Sequence, residues 1–167
     1  MLKQSLVRSH HLTEESKSFK ILSERISKML KTNEDTDEKL KDICQLLRDN
    51  VSHYDWVGVY MVNKKRKQQL QLGPYVGETT EHTRIRFGSG ICGQAAQRKK
   101  TFVVQDVSKE TNYLSCSTKV KSEIVVPIFK NRKVIGEIDI DSHKISPFTK
   151  EDETFLRKVS KMVSKIL

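Results

Sequence analysis

The chain is poor in cysteine, with 3 in 167 residues, and that odd count excludes a framework of paired structural disulfides. Cys44, Cys92 and Cys116 stand far apart and none belongs to a CxxC pair, so their spacing argues against a zinc site. Long apolar runs are missing too. No stretch of about 18 apolar residues is present to span a membrane, and the opening MLKQSLVRSHHLTEES lacks the apolar segment of an export signal. The expectation is a soluble, cytoplasmic protein without membrane association, whose cysteines matter as thiols. Internal repeats, low-complexity tracts and linkers are also absent, and the length fits a single domain over residues 1–167.

Positive charge is abundant. Lys+Arg 31 against Asp+Glu 21 gives a formal net charge of +10, which favours acidic partners in general. The basic residues fall in short clusters, Lys64-Lys65-Arg66-Lys67 and Arg98-Lys99-Lys100, each beside a predicted turn or helix end. No aromatics are interleaved with them for base stacking, and this argues against a nucleic-acid partner.

Two amphipathic helices are expected first, within residues 1–52. Phe19, Leu22, Ile26, Met29 and Leu30 recur at helical spacing after Thr13, and Leu40, Ile43, Leu46 and Leu47 share a face after Asn33-Glu34-Asp35. Cys44 lies in the second, among apolar neighbours, and reads as a small core residue. Residues 53–167 carry the rest. Strand-like runs at 56–62 and 69–73 form a hairpin, a short strand at 84–87 enters the Gly-rich turn Gly88-Ser89-Gly90 and a short helix, and a strand follows at 101–104. A loop over 106–121 leads to a second hairpin, 123–129 with 133–141, and a closing helix carries Phe155, Leu156, Val159, Met162, Val163 and Ile166 as a stripe. The fold class is α+β, a mostly antiparallel sheet flanked by N- and C-terminal helices.

Alternation along Glu137-Ile138-Asp139-Ile140-Asp141 puts the carboxylates on one face and the isoleucines on the other. Crowded like charges raise the pKa of at least one member and make it a proton donor near neutral pH, or a partner for a cation. An outer strand with this face in water reads the same way in sequence. Cys92, where a helix begins, is a candidate thiolate because unpaired N–H groups at a helix start lower a thiol's pKa; a small residue packed under the Gly-rich turn is the alternative. Cys116 lies in the polar loop Asn112-Tyr113-Leu114-Ser115-Cys116-Ser117-Thr118-Lys119, where exposure and nearby Lys119 and Lys121 favour reactivity over an incidental surface thiol.

The strings YDWVGVYMV, LQLGPYVG, IRFGSGICGQAA, CSTKVKSEIVVPI and GEIDIDS occur in an order and spacing that resemble the free methionine-(R)-sulfoxide reductases, a family of stand-alone GAF domains. The resemblance implies a GAF-like fold and reduction of free methionine-(R)-sulfoxide by thiol chemistry. It casts Cys116 as the attacking thiol and Cys92 as the resolving thiol, which together form a disulfide reduced by thioredoxin. It casts Glu123, Asp139 and Asp141 as the groups that hold the substrate's ammonium and sulfoxide, and Trp56 and Tyr60 as the walls around its thioether. It implies a homodimer and no metal or organic cofactor. Glu137 stands where the family usually has an aliphatic residue and receives no role. His82 stands ten positions before Cys92, where most members have a further cysteine. The rival reading is a GAF sensor or interaction module that binds a small ligand without turnover.

Overall fold

The computed structural model describes residues 13–114 and 117–167. Helix α1 (Glu14–Met29) starts where the Thr13 hydroxyl accepts the Ser16 N–H, and α2 (Thr36–Asn50) where the Asp35 carboxylate accepts the N–H groups of Asp37 and Glu38. Both caps are the residues that the apolar periodicity points to. Strands β1 (Trp56–Val62), β2 (Gln69–Val76) and β3 (Arg84–Arg86) precede helix α3 (Gly90–Arg98). Strands β4 (Phe102–Val104), β5 (Ser122–Lys130) and β6 (Lys133–Ser142) and helix α4 (Lys150–Val163) complete the order.

The six strands form one antiparallel sheet in the order β3-β2-β1-β6-β5-β4. This is the expected α+β class. Helices α1, α2 and α4 cover one face, meeting Val57 and Val59 of β1, Ile124, Val126 and Ile128 of β5, and Ile138 and Ile140 of β6. Phe19 of α1 stacks on Phe155 of α4 with centroids 4.3 Å apart, a geometry worth about 1 kcal/mol beyond its buried area. The opposite face is covered by α3 and the segments around it, through Ile91, Cys92, Ala95, Ala96, Val107 and Val120.

Two elements differ from the sequence expectation. Strand β2 runs on past Gly73 to Val76, because the β1–β2 register shifts between Gly58 and Tyr60 and leaves Gly73 and Pro74 outside the ladder. A proline without an N–H is tolerated at such an irregularity. The loop after β4 contains a 3-10 turn, Val107–Lys109, capped by the Asp106 carboxylate. Among the described residues no helix is long and apolar enough to cross a membrane.

The α4 start is tied to the sheet. Asp152 is fully buried and accepts from the Tyr54 hydroxyl (2.7 Å) and the Thr149 N–H (2.7 Å), and it pairs with His53 (2.9 Å). His53 and Tyr54 lie three and two positions before β1, so one carboxylate helps to fix where β1 begins relative to α4. Burial works to raise the Asp152 carboxyl, but hydrogen bonds from His53, the Thr149 N–H and Tyr54 together hold it below its ordinary value.

Candidate functional site

Strand β6 lies between β1 and β5, at the centre of the sheet. Its alternation therefore separates two interiors and does not divide core from solvent. Glu137, Asp139 and Asp141 are 0 %, 2 % and 2 % exposed, which excludes the reading of a solvated outer strand. Across the ladder Asp141 pairs with Trp56 on one side and Glu123 on the other, Asp139 with Gly58 and Val125, and Glu137 with Tyr60 and Pro127. Glu123, 6 % exposed, joins the same buried acidic face.

Burial is the first cause that raises these carboxyls, because the charged form loses its water. Mutual repulsion adds to it. Glu123 is pushed up by Asp139, Asp141 and Glu137, and Asp141 by Asp139 and Asp55. Burial moves Asp139 up to about 7 against the opposing hydrogen bonds of Cys92, Glu123 and Ile140. A carboxyl group in that position is both acid and base at neutral pH.

Cys92 reaches this cluster from α3. The chain turns into the helix through Gly88 (φ +87°) and Gly90 (φ +62°), conformations that side chains other than glycine resist. A Cβ at Gly90 would also press on the Leu114 side chain at 2.9 Å. The Cys92 thiol donates to Glu123 Oε1 at 3.7 Å, and Cys92 Sγ, a Glu123 oxygen and an Asp139 oxygen all lie within 4.8 Å of one another.

Of the two readings of Cys92, the surroundings oppose the low-pKa thiol that a helix start favours. Cys92 is buried, and loss of water followed by the fields of Asp139, Glu137 and Glu123 pushes its thiol well above the ordinary value. A helix terminus supplies about 1 kcal/mol, whereas full burial moves a thiol by several pKa units. Desolvation wins. The packing alternative for Cys92 also holds, since it sits in the apolar cluster with Ile91, Ala95 and Ala96.

Trp56 and Tyr60 flank the acids from β1. The Trp56 indole stacks on Tyr75 with centroids 5.3 Å apart, and its Nε1–H donates to the Glu78 carbonyl at 3.0 Å. The Tyr60 hydroxyl donates to the His82 carbonyl at 2.9 Å. Two narrow cavities open along this face. Tyr60, His82, Cys92, Leu114, Glu123 and Asp139 line one; Asp55, Trp56, Glu78, Ser117, Asp141 and His143 line the next. Roomier clefts, such as the one beside Arg66 and Arg84, lie away from the acid cluster. Glu123, Asp139, Cys92 and Tyr60 thus meet at one cavity and Trp56 and Asp141 at its neighbour. Cys116 lies outside the described residues.

Three residues that sequence reasoning left without a role belong here. Asn112 accepts the Gly90 N–H at 3.0 Å and donates to the Gly88 carbonyl at 2.7 Å, fastening the segment before Cys116 to the turn that presents Cys92. Glu78 accepts from the Ser117 hydroxyl at 3.1 Å and pairs with Lys119, fastening the segment after Cys116. Glu137 lies against the Cys92 thiol. Asn112 and Glu78 sit in polar loops where spacing gives no signal, whereas Glu137 shares the alternation that marks Asp139 and Asp141.

The GAF domain family model matches residues 35–167. A free methionine-R-sulfoxide reductase of Saccharomyces cerevisiae is 40% identical over 112 residues, 66% of this chain and 62% of the yeast protein. One from Escherichia coli is 33% identical over 128 residues, 77% of this chain and 75% of that protein. The structure of the free methionine-R-sulfoxide reductase of Neisseria meningitidis in complex with its substrate superimposes with a TM-score of 0.85 at 31% identity, covering 93% of each chain.

Proposed function

The chain belongs to the GAF domain family and, within it, groups with the free methionine-R-sulfoxide reductases, and from that membership we propose that it is an oxidoreductase that reduces free methionine-(R)-sulfoxide. The observation that carries the proposal is the buried Cys92 thiol hydrogen-bonded to Glu123 beside Asp139. Burial acts most strongly on Glu123, Asp139 and Asp141; after it come other carboxyls for Glu123 and Asp141, and the Cys92 thiol followed by Glu123 for Asp139, with no cation among these causes. An amino acid's ammonium supplies the missing positive charge.

Glu123, Asp139 and Asp141 hold the substrate's ammonium and sulfoxide, with Trp56 and Tyr60 against its thioether. A protonated carboxyl of this group gives its proton to the sulfoxide oxygen as the Cys116 thiolate attacks the sulfur. With a second proton the oxygen leaves the methionine sulfur as water; a water then attacks the Cys116 sulfur, methionine leaves with the electron pair of the S–S bond, and Cys116 becomes a sulfenic acid. Cys92 gives its proton to a neighbouring carboxylate and attacks the sulfenic sulfur, forming the Cys92–Cys116 disulfide and releasing water. A dithiol such as thioredoxin restores both thiols by exchange, in keeping with a cytoplasmic location. A homodimer through the N-terminal helices belongs to the same reading; Ile21 of α1, 58% exposed, is an apolar residue that such contact could cover.

The test is turnover of racemic free methionine sulfoxide with dithiothreitol, followed by chiral chromatography. The R epimer is consumed and the S epimer remains. Binding without consumption, as in a ligand-sensing module, or equal loss of both epimers, refutes the proposal.

A further inference from the structure

The cysteine spacing speaks against a metal, yet the sheet assembles a donor set that spacing does not show. Zinc bonds of about 2.3 Å to sulfur and about 2.1 Å to oxygen, at a tetrahedral angle, place two neighbouring ligand atoms about 3.6 Å apart. Cys92 Sγ and Glu123 Oε1 are 3.7 Å apart, and an Asp139 oxygen completes a group within 4.8 Å. One further observation points to a cation. Asp139 Oδ1 is buried without a hydrogen-bond partner of good geometry among the described residues, whatever its carboxyl gains elsewhere, and the buried Glu137 carboxyl, 0 % exposed, has the Cys92 thiol as its nearest polar neighbour, with no closer geometric hydrogen bond to either oxygen. Orphaned buried acceptors are costly unless something positive or protonated meets them.

The second triad of potential ligands, Glu15, His53 and Asp152, lacks this character. Its Asp152 oxygens are already engaged by Tyr54, His53 and Thr149.

We propose that Cys92, Glu123 and Asp139 form a site for a zinc-class divalent cation in the reduced chain, with Glu137 as the flanking carboxylate. One thiolate and two carboxylates suit a borderline-soft ion and not magnesium or calcium. Binding changes no oxidation state. The ion forms a bond to Cys92 sulfur and bonds to carboxylate oxygens, and the thiol proton and the protons shared among the acids pass to solvent. The site overlaps the proposed substrate pocket, so the cation competes with methionine sulfoxide; this last consequence rests on the proposed activity, and binding itself does not.

The experiment titrates the full-length chain, kept reduced with a phosphine, with cadmium and with zinc. Cadmium gives a thiolate charge-transfer band in the ultraviolet that saturates at one ion per chain and is lost in Cys92→Ser but kept in Cys44→Ala. Zinc, followed by competition with a chromophoric chelator, binds at least about tenfold more weakly to Glu123→Gln and Asp139→Asn. In the unsubstituted protein zinc slows alkylation of Cys92, read by peptide mass spectrometry, and leaves Cys44 unchanged. A band that survives in Cys92→Ser, or no one-to-one binding at micromolar metal, overturns the site. A chain that reduces methionine sulfoxide without binding zinc loses the site and keeps the activity; one that binds zinc through Cys92 without turnover does the reverse.

Discussion

Gly58 on β1 stands directly across the ladder from Asp139 on β6, and the Trp56 ring lies over the space where a Gly58 side chain would be. A methyl group there would overlap the indole. Gly58→Ala is therefore expected to push Trp56 off its stack on Tyr75 and reshape the pocket beside Asp139. Misplacement of this order costs up to about a hundredfold in rate. Trp56 is the one tryptophan of the chain, so intrinsic fluorescence reports on it alone. The emission of the unsubstituted chain should change on titration with free methionine sulfoxide, and that of Gly58→Ala should already be altered without it. Identical spectra and equal kcat/KM in both proteins would contradict this.

The thiols are expected to divide the chemistry. Cys116→Ser should release no methionine even in a single turnover. Cys92→Ser should release one methionine per site and leave a sulfenic acid that dimedone traps, with multiple turnover by thioredoxin lost and partial rescue by dithiothreitol. Cys44, whose thiol burial pushes up to about 12, is chemically silent; Cys44→Ala should keep full turnover and cost about 1 kcal/mol of packing. Full single turnover in Cys116→Ser with none in Cys92→Ser would reverse the roles.

Stability should fall as pH rises above the acid range. Glu123, Glu137, Asp139 and Asp141 all titrate above their ordinary values in the folded chain. Between an unfolded carboxyl's pKa of about 4 and the folded values, the native state holds more protons than the unfolded one, so the unfolding free energy decreases with pH. Their stabilisation is complete below that window and is lost through it. With a chelator present, the thermal midpoint at about pH 8 should lie below that at about pH 5.5, and Glu137→Gln should raise it more at the higher pH. A midpoint that climbs from pH 5.5 to pH 8 would show that the buried acids are not protonated in the native state.

Asn112 is expected to matter for rate more than for folding. Its side chain is exposed but makes two hydrogen bonds to the Gly88–Gly90 turn. Asn112→Ala should cost about 1–2 kcal/mol in stability. Formation of the Cys92–Cys116 disulfide should slow more than tenfold, because the segment before Cys116 loses its tie to the turn that presents Cys92. Stopped-flow quenching with disulfide mapping measures that step; an unchanged rate would remove Asn112 from the site.

Much of this was legible in the sequence because local rules govern it. Thr13 and Asp35 cap the helices that the apolar spacing predicts, and alternation in β6 correctly sets Glu137, Asp139 and Asp141 against Ile138 and Ile140. Burial of those acids was not legible, since it depends on β6 lying between β1 and β5, a matter of topology. The choice between the two readings of Cys92 was open for a related reason. Its own helix argues for a low pKa, while the carboxylates that raise it come from strands at least 31 positions away. The expected strand ends at residue 73, yet β2 runs on through Pro74 at an irregular step that only the pairing with β1 reveals.

The turn between β5 and β6 sets the frame in which the site is read. Lys130 pairs with Lys133, and Asn131 and Arg132 both take positive φ, 51° and 64°, the two-residue connection whose twist suits a hairpin. A strand has a reading frame of two. An insertion or deletion of one residue in this exposed turn would slide β6 by one step against β5, turning the acids toward the helices and the isoleucines toward Cys92. Length variation among relatives is therefore expected to avoid this turn, although nothing at the turn itself touches the chemistry.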